Sequence, residues 1–185
     1  MSVFRIYVEK KAAYAAHADS LCSDIRTSLQ MENLTALRFI NRYDVEGLTD
    51  EQFALAVSNV FSEPAVDVTY TALPEISEGE HIFAMEYLPG QFDQRADSCE
   101  QCLQLLLQCG RPTVRNARIV ILSGEKLTAE DVDKIKAYLI NPVESREASF
   151  EEKESLEAVY ETPDMVKTLT GFIELDEEGL AAFIK

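Results

Sequence analysis

Seven glycines in 185 residues leave little material for a loop that cradles phosphate. Neither G-x-x-x-x-G-K-[ST] nor G-x-G-x-x-G occurs, so nucleotide binding through either motif is excluded. Histidine is scarcer still: His17 and His81 are the only two. A serine or cysteine nucleophile needs a base close by. His17 lies in an alanine-rich helical pattern and His81 opens a strand-like run, so neither reads as catalytic. No apolar run approaches the ~18 residues of a membrane span. The first residues read directly as a strand, without the basic and apolar regions of a signal peptide, and the expected location is cytoplasmic. Four cysteines (Cys22, Cys99, Cys102, Cys109) lack the spacing of a secreted disulfide framework, which agrees. Basic residues are few, 17 against 33 acidic, for a net charge of -16. That field repels nucleic acid and anionic membranes, and neither is expected as a partner. The acidic excess is concentrated late: residues 149–185 hold ten Asp/Glu and three Lys, a distribution read as solubilising.

The length suits one domain, or one domain with an extension, and the 46% apolar content is ordinary for a chain that buries a core. Its centre of organisation is Glu80 to Gly124. Ile82 to Leu88 is an apolar run suited to a strand, broken by Pro89-Gly90. Phe92, Ala96, Cys99, Leu103 and Leu106 recur at spacings of three and four, the signature of one helix face. Gly110 and Pro112 stop that helix, and Ala117 to Leu122 reads as a second strand. The same unit occurs earlier. Val3 to Val8 is strand-like, Ala18, Leu21, Ile25 and Leu29 share a helix face, and Ala36 to Asn41 is strand-like, leading into a polar turn at Arg42 to Gly47. A shift of 78 places Ala18-Asp19-Ser20 on Ala96-Asp97-Ser98 and Pro64 on Pro142. A shift of 79 places Leu48-Thr49-x-Glu51 on Leu127-Thr128-x-Glu130. A period this long points to two fused copies of a small domain, because solenoid repeats run about 20 to 50 residues.

Each unit continues into a second helix with a matching start. Thr49 with Gln52 and Thr128 with Asp131 form capping boxes, followed by Phe53, Val57 and Val60 in one case and Val132, Ile135 and Leu139 in the other. Val66, Val68 and Tyr70 then alternate with polar residues as a half-buried strand, after which Leu73 to Gly79 connects the halves. The second half departs after Pro142, where Val143 to Ser149 reads as a loop or weak edge strand. Phe150 to Glu161 reads as a linker or solvated helix, Pro163 can open a short helix to Leu169, and Asp176 can cap a last helix cut off at Lys185. The fold expectation is α+β: duplicated β-α-β-α-β halves, about 1–72 and 80–148, forming a pseudo-dimer with helices on one sheet face, followed by a short helical linker segment.

Cys99-Glu-Gln-Cys102 has the C-x-x-C form, but it lies inside a helical pattern with no further ligands near in sequence, which favours packing over redox or metal chemistry. Two polar clusters stand out: Arg42, Tyr43 and Asp44, and Gln91, Phe92, Asp93, Gln94 and Arg95. Each follows a strand and combines an arginine with an aromatic, a composition common at interfaces. Arg146, with Glu147 beside it, is the single base of the divergent run after Pro142, and a planar guanidinium there suits docking onto a carboxylate.

INRYDVEGL from Ile40, VFSEP from Val60, EYLPGQFDQRADS from Glu86 and INPVESREAS from Ile140 resemble the N-terminal region of the large, single-chain phosphoribosylformylglycinamidine synthases. TPDMVKTLTGF from Thr162 resembles the start of the linker domain that follows it there. The resemblance covers essentially the whole chain. It implies a small-subunit-like domain over 1–148 and the truncated start of a linker domain over 149–185. It also implies a parent ligase of purine synthesis that makes formylglycinamidine ribonucleotide from formylglycinamide ribonucleotide, ATP and glutamine. ATP and magnesium are implied for that full-length enzyme, and no cofactor for these residues. The implied role is to dock glutaminase and synthetase domains of the same chain. No catalytic residue carries over, and Arg42, Tyr43, Asp44, Gln91 to Arg95, Arg146 and Glu147 are the expected interface. Two other readings stay open: a regulatory module binding a small molecule at the junction of the halves, and a thiol oxidoreductase using Cys99 and Cys102.

Overall fold

A computed structural model describes residues 2–108, 110–157 and 169–183. It shows a mixed α/β protein with a six-stranded antiparallel sheet and, among the described residues, five α-helices. The strands are β1 (Val3–Lys10), β2 (Leu34–Glu46), β3 (Asp67–Tyr70), β4 (Glu80–Tyr87), β5 (Thr113–Gly124) and β6 (Ser145–Glu147). The helices are α1 (Ala16–Ser28), α2 (Asp50–Ala56), α3 (Gln94–Leu107), α4 (Ala129–Leu139) and α5 (Glu177–Phe183). A π turn, Val57–Phe61, continues α2. None of the described helices is long and apolar enough to cross a membrane.

The sheet order is β3-β1-β2-β5-β4-β6. Its spine is the β2–β5 ladder, in which Ile40 faces Ile119 near the middle. Both helix starts form as their sequences dictate: the Thr49 and Thr128 hydroxyls accept from the backbone N–H groups of Gln52 and Asp131, and those side chains accept in return. α3 is capped by Asp93, which accepts from Arg95 and Ala96, and closes at Gln108 in the left-handed conformation.

Side chains alternate across each strand, so the sheet has two faces. On one face, Ala18, Cys22 and Ile25 of α1 and Val132 and Ile135 of α4 share a cluster with Leu34, Leu37, Phe83, Val120 and Leu122. Ala56 of α2, Phe61, and Ala96, Cys99 and Leu103 of α3 share another with Ile6, Val8, Tyr43, Val45 and Val114. Each cluster thus combines residues from before and after the Leu73–Gly79 connector. Two residues expected on the buried side of α3 lie outside: Phe92 is 70% exposed and Leu106 41%. Phe92 precedes the helix start, so helical spacing does not apply to it, and Leu106 falls in the last turn, beyond Leu103.

The other face is covered without a helix. Ile40, Ala84, Ala117, Ile119 and Ile121 pack there with Leu73, Ile76 and Ala148. The chain after β6 then crosses this face as a strap. Arg42 donates to Ser149 O (2.6 Å), and Arg5 donates to the carbonyls of Phe150 and Glu151 (both 2.9 Å). Leu156, itself buried, donates its N–H to Glu46 (2.9 Å). The described part of Phe150 to Glu161 is therefore not a solvated helix, because arginines take the carbonyls that a helix would use internally. The rest of that run, 158–161, and the Pro163 helix start lie outside the described residues. The final helix does form, with Gly179 N–H donating to Asp176 (2.8 Å).

Candidate functional site

The structure divides the residues singled out from sequence. Arg42, Tyr43 and Asp44 are not in a turn: β2 runs on through Glu46, and the three are 1%, 3% and 1% exposed. Alternation sends Tyr43 toward the helices and Arg42 and Asp44 toward the strap. Asp44 binds Arg5 with both carboxylate oxygens. Its Oδ2 is also 3.3 Å from Arg42 Nε, an ion-pair contact whose angle leaves that buried Nε–H without a hydrogen-bond acceptor. Burial, and then repulsion from Arg5, hold the Arg42 guanidinium below its ordinary value despite the attraction of Asp44. For Arg5, burial is outweighed by Asp44, and the net shift is upward.

Gln91, Phe92, Asp93 and Arg146 line one cleft of about 580 Å³, between the Leu88–Asp93 loop and the strap. Arg146 is opposite Glu86 across the β4–β6 ladder and donates to it from Nε and Nη2 (2.9 and 2.8 Å). Lys153 reaches the same carboxylate (3.3 Å). Burial pulls the Glu86 carboxyl upward, but Arg146 and Lys153 outweigh it and hold the group below the usual range. Glu147 pairs with Lys136 of α4 (2.8 Å). Both residues are therefore engaged within this chain's own sheet edge.

Gln94 and Arg95 belong elsewhere, to a groove on the helix face. This groove lies between the two helix clusters, and its floor is polar where both flanks are apolar. A cavity of about 720 Å³ is lined by Tyr43, the end of the π turn, the start of α3, Asn116 and Arg118. A second, of about 640 Å³, is lined by Tyr14, Ala15, His17, Ala18 and Phe39. Arg95 and Arg118 line both. Arg95 Nη1 donates to the Tyr43 hydroxyl (3.3 Å). Arg118 lies over the Phe39 ring at 5.1 Å, and His17 stacks on the same ring at 5.2 Å. Burial, and then repulsion from Arg95, hold the Arg118 guanidinium below its ordinary value.

Arg118 and Asn116 escaped the sequence reading, although a signal was present. Val114, Asn116, Arg118 and Val120 alternate on one strand face, so two polar residues interrupt a face that is apolar at both ends. His81 is structural, within 3.1 Å of Leu127 O. Among the described residues no group of three or more His, Cys, Asp or Glu could hold a metal ion.

The C-x-x-C pair is split by its helix. Cys99 is buried and Cys102 exposed. Burial pushes the Cys99 thiol up to about 12, the opposite of what thiolate chemistry needs. In a thiol-labelling time course at pH 8, Cys102 is expected to react in the native protein and Cys99 only after denaturation. Equal native rates for the two, read by peptide mass mapping, would return the oxidoreductase reading to consideration.

No protein-family model matches the chain, and no curated protein sequence matches it.

Proposed function

We propose that the chain is a non-catalytic scaffold segment of an ATP- and glutamine-dependent ligase of the phosphoribosylformylglycinamidine synthase type. On this reading two copies of a small β-α-β-α-β unit were fused into a pseudo-dimer that docks the glutaminase and synthetase parts of the same enzyme. The observation that carries the reading is the strand order. β3-β1-β2 runs outward from the central ladder as β6-β4-β5 does on the other side, and α1 pairs with α4 as α3 pairs with α2. An arrangement in which each unit completes the other's core is what a fused dimer of small domains produces. The motif resemblance adds the enzyme class, and the exposed Tyr87, Phe92 and Val143 supply apolar surface for a partner.

The test is association and complementation. The purified chain is expected to turn over neither ATP nor glutamine. It is expected to bind a polypeptide carrying the synthetase and glutaminase parts of such an enzyme and to restore its glutamine-dependent activity. Turnover by the chain alone would overturn the scaffold role. Failure to associate or to restore activity would overturn the assignment to this enzyme.

A further inference from the structure

Arg118 poses an electrostatic problem that the chain does not solve internally; its neighbour Arg95 does not, since partial burial there is outweighed by Tyr43 and Asp93, which hold it above its ordinary value. The protein carries 33 acidic side chains, yet among the described residues the Arg118 side chain has no carboxylate ion pair and no hydrogen bond, only the Phe39 ring. Five other arginines pair with carboxylates, Arg5 and Arg42 with Asp44, Arg38 with Glu9, Arg111 with Asp97 and Glu100, and Arg146 with Glu86, and Arg26, Arg95 and Arg115, which do not, are exposed. A guanidinium cannot escape the cost of burial by losing its proton at neutral pH. Two of them converging on one groove repel each other, and a half-buried charge with no counter-charge is costly. Such a site is relieved when an anion from outside supplies the missing charge.

We propose that the helix-face groove is a binding site for a small molecule that joins a carboxylate or phosphate to a flat, partly apolar body. The oxyanion lies between Arg95 and Arg118, where the two cavities meet. Asn116 and the Tyr43 hydroxyl stand beside it as further polar contacts in the larger cavity. The body occupies the smaller cavity, where Tyr14, Ala15, Ala18, Leu37 and Phe39 supply an aromatic and aliphatic wall beside a charged rim that includes Glu9, Lys10, Asp19 and Arg38. A volume of about 640 Å³ is within the range of ordinary small-molecule pockets. A small ligand is favoured over an acidic protein segment because the arginines sit within a groove between two helix pairs, and not on a protruding surface. The site opens on the sheet face opposite the strap, and its larger cavity extends to Tyr87, which the scaffold proposal gives to a partner; binding by the chain alone tests it separately from that role.

The test uses the full chain and three probes, with binding read by isothermal titration and by amide shifts in nuclear magnetic resonance spectra. Phenyl phosphate is the probe for the complete site, inorganic phosphate for the oxyanion alone, and hexaglutamate for an acidic segment. Phenyl phosphate is expected to bind saturably, perturbing the amides of Phe39 and Arg118, and about tenfold or more tightly than inorganic phosphate. Arg118→Gln is expected to weaken it about tenfold or more, through loss of a charge-assisted contact. Should Arg118→Gln misfold, Arg95→Gln, on an exposed side chain, provides the same comparison. The proposal is overturned if phenyl phosphate does not saturate, if neither substitution weakens it, or if hexaglutamate binds more tightly.

Discussion

Replacing Asp44 with alanine is expected to destabilise the protein by about 3–5 kcal/mol, the usual cost of stranding a buried charge by removing its partner. At this chain length that lowers the melting temperature by roughly 10 °C. The size follows from Asp44 serving two guanidiniums at once. Arg5 and Arg42 both converge on its carboxylate, in a layer where the Arg42 side chain is 1% exposed. Without Asp44 the two arginines would repel each other across the space it vacates. The same two arginines hold the carbonyls of Ser149, Phe150 and Glu151, so the substitution also loosens the strap. Differential scanning calorimetry measures the first effect, and limited proteolysis within 148–157 the second. A drop of less than about 2 °C, with the strap still protected, would show that the network contributes little to either.

Phe83→Ala is expected to cost about 3–5 kcal/mol, the range for emptying a fully buried aromatic site. Phe83 is 0% exposed and lies in the cluster that α1 and α4 both enter. Because that cluster draws on both sides of the connector, the loss is expected to be shared by the whole sheet. Denaturation should remain one transition, with coincident midpoints for probes placed in α1 and in α4. A companion experiment removes the second half altogether. Residues 1–72 alone lack Phe83, Val120, Leu122, Val132 and Ile135, and are expected to show no cooperative melt as a monomer. Separate midpoints in the variant, or a concentration-independent cooperative melt of 1–72, would overturn the shared core.

What could be read from sequence was what local chemistry decides. Both capping boxes formed because they need only a threonine and a side chain three residues on. The helix faces around Ile25, Leu103 and Ile135 followed from apolar spacing alone. The reading failed where a partner lies far along the chain. Arg42-Tyr43-Asp44 has the composition of a turn, and becomes interior strand because Arg5 and Ser149 pair with its polar groups, the Arg42 Nε–H excepted. Those partners are 39 and 107 residues away, and no local pattern announces them. The same holds for the strap, read as a linker or solvated helix: its acidic side chains are exposed, but arginines on the sheet hold its backbone out of a helix. Arg118 was hidden differently: it is one polar residue inside a strongly apolar run, and only the separation of two helix pairs gives it a groove to face.

The lengths of the strands bear on how this protein behaves when crowded. An unpaired strand edge is a template for aggregation, and natural sheets blunt theirs with short strands and charge. Here the outermost strands have four and three residues, and each carries charge: Asp67 paired with Lys10 on one edge, Arg146 and Glu147 on the other. The two longest strands, of 13 and 12 residues, are in the middle and cover each other. The finished molecule therefore offers little for another copy to join. The unfinished one offers a great deal. While β1 and β2 have emerged and β5 has not, β2 presents a long, apolar edge. During synthesis, that interval is when association between nascent chains is most favoured, and pairing of β2 with β5 ends it.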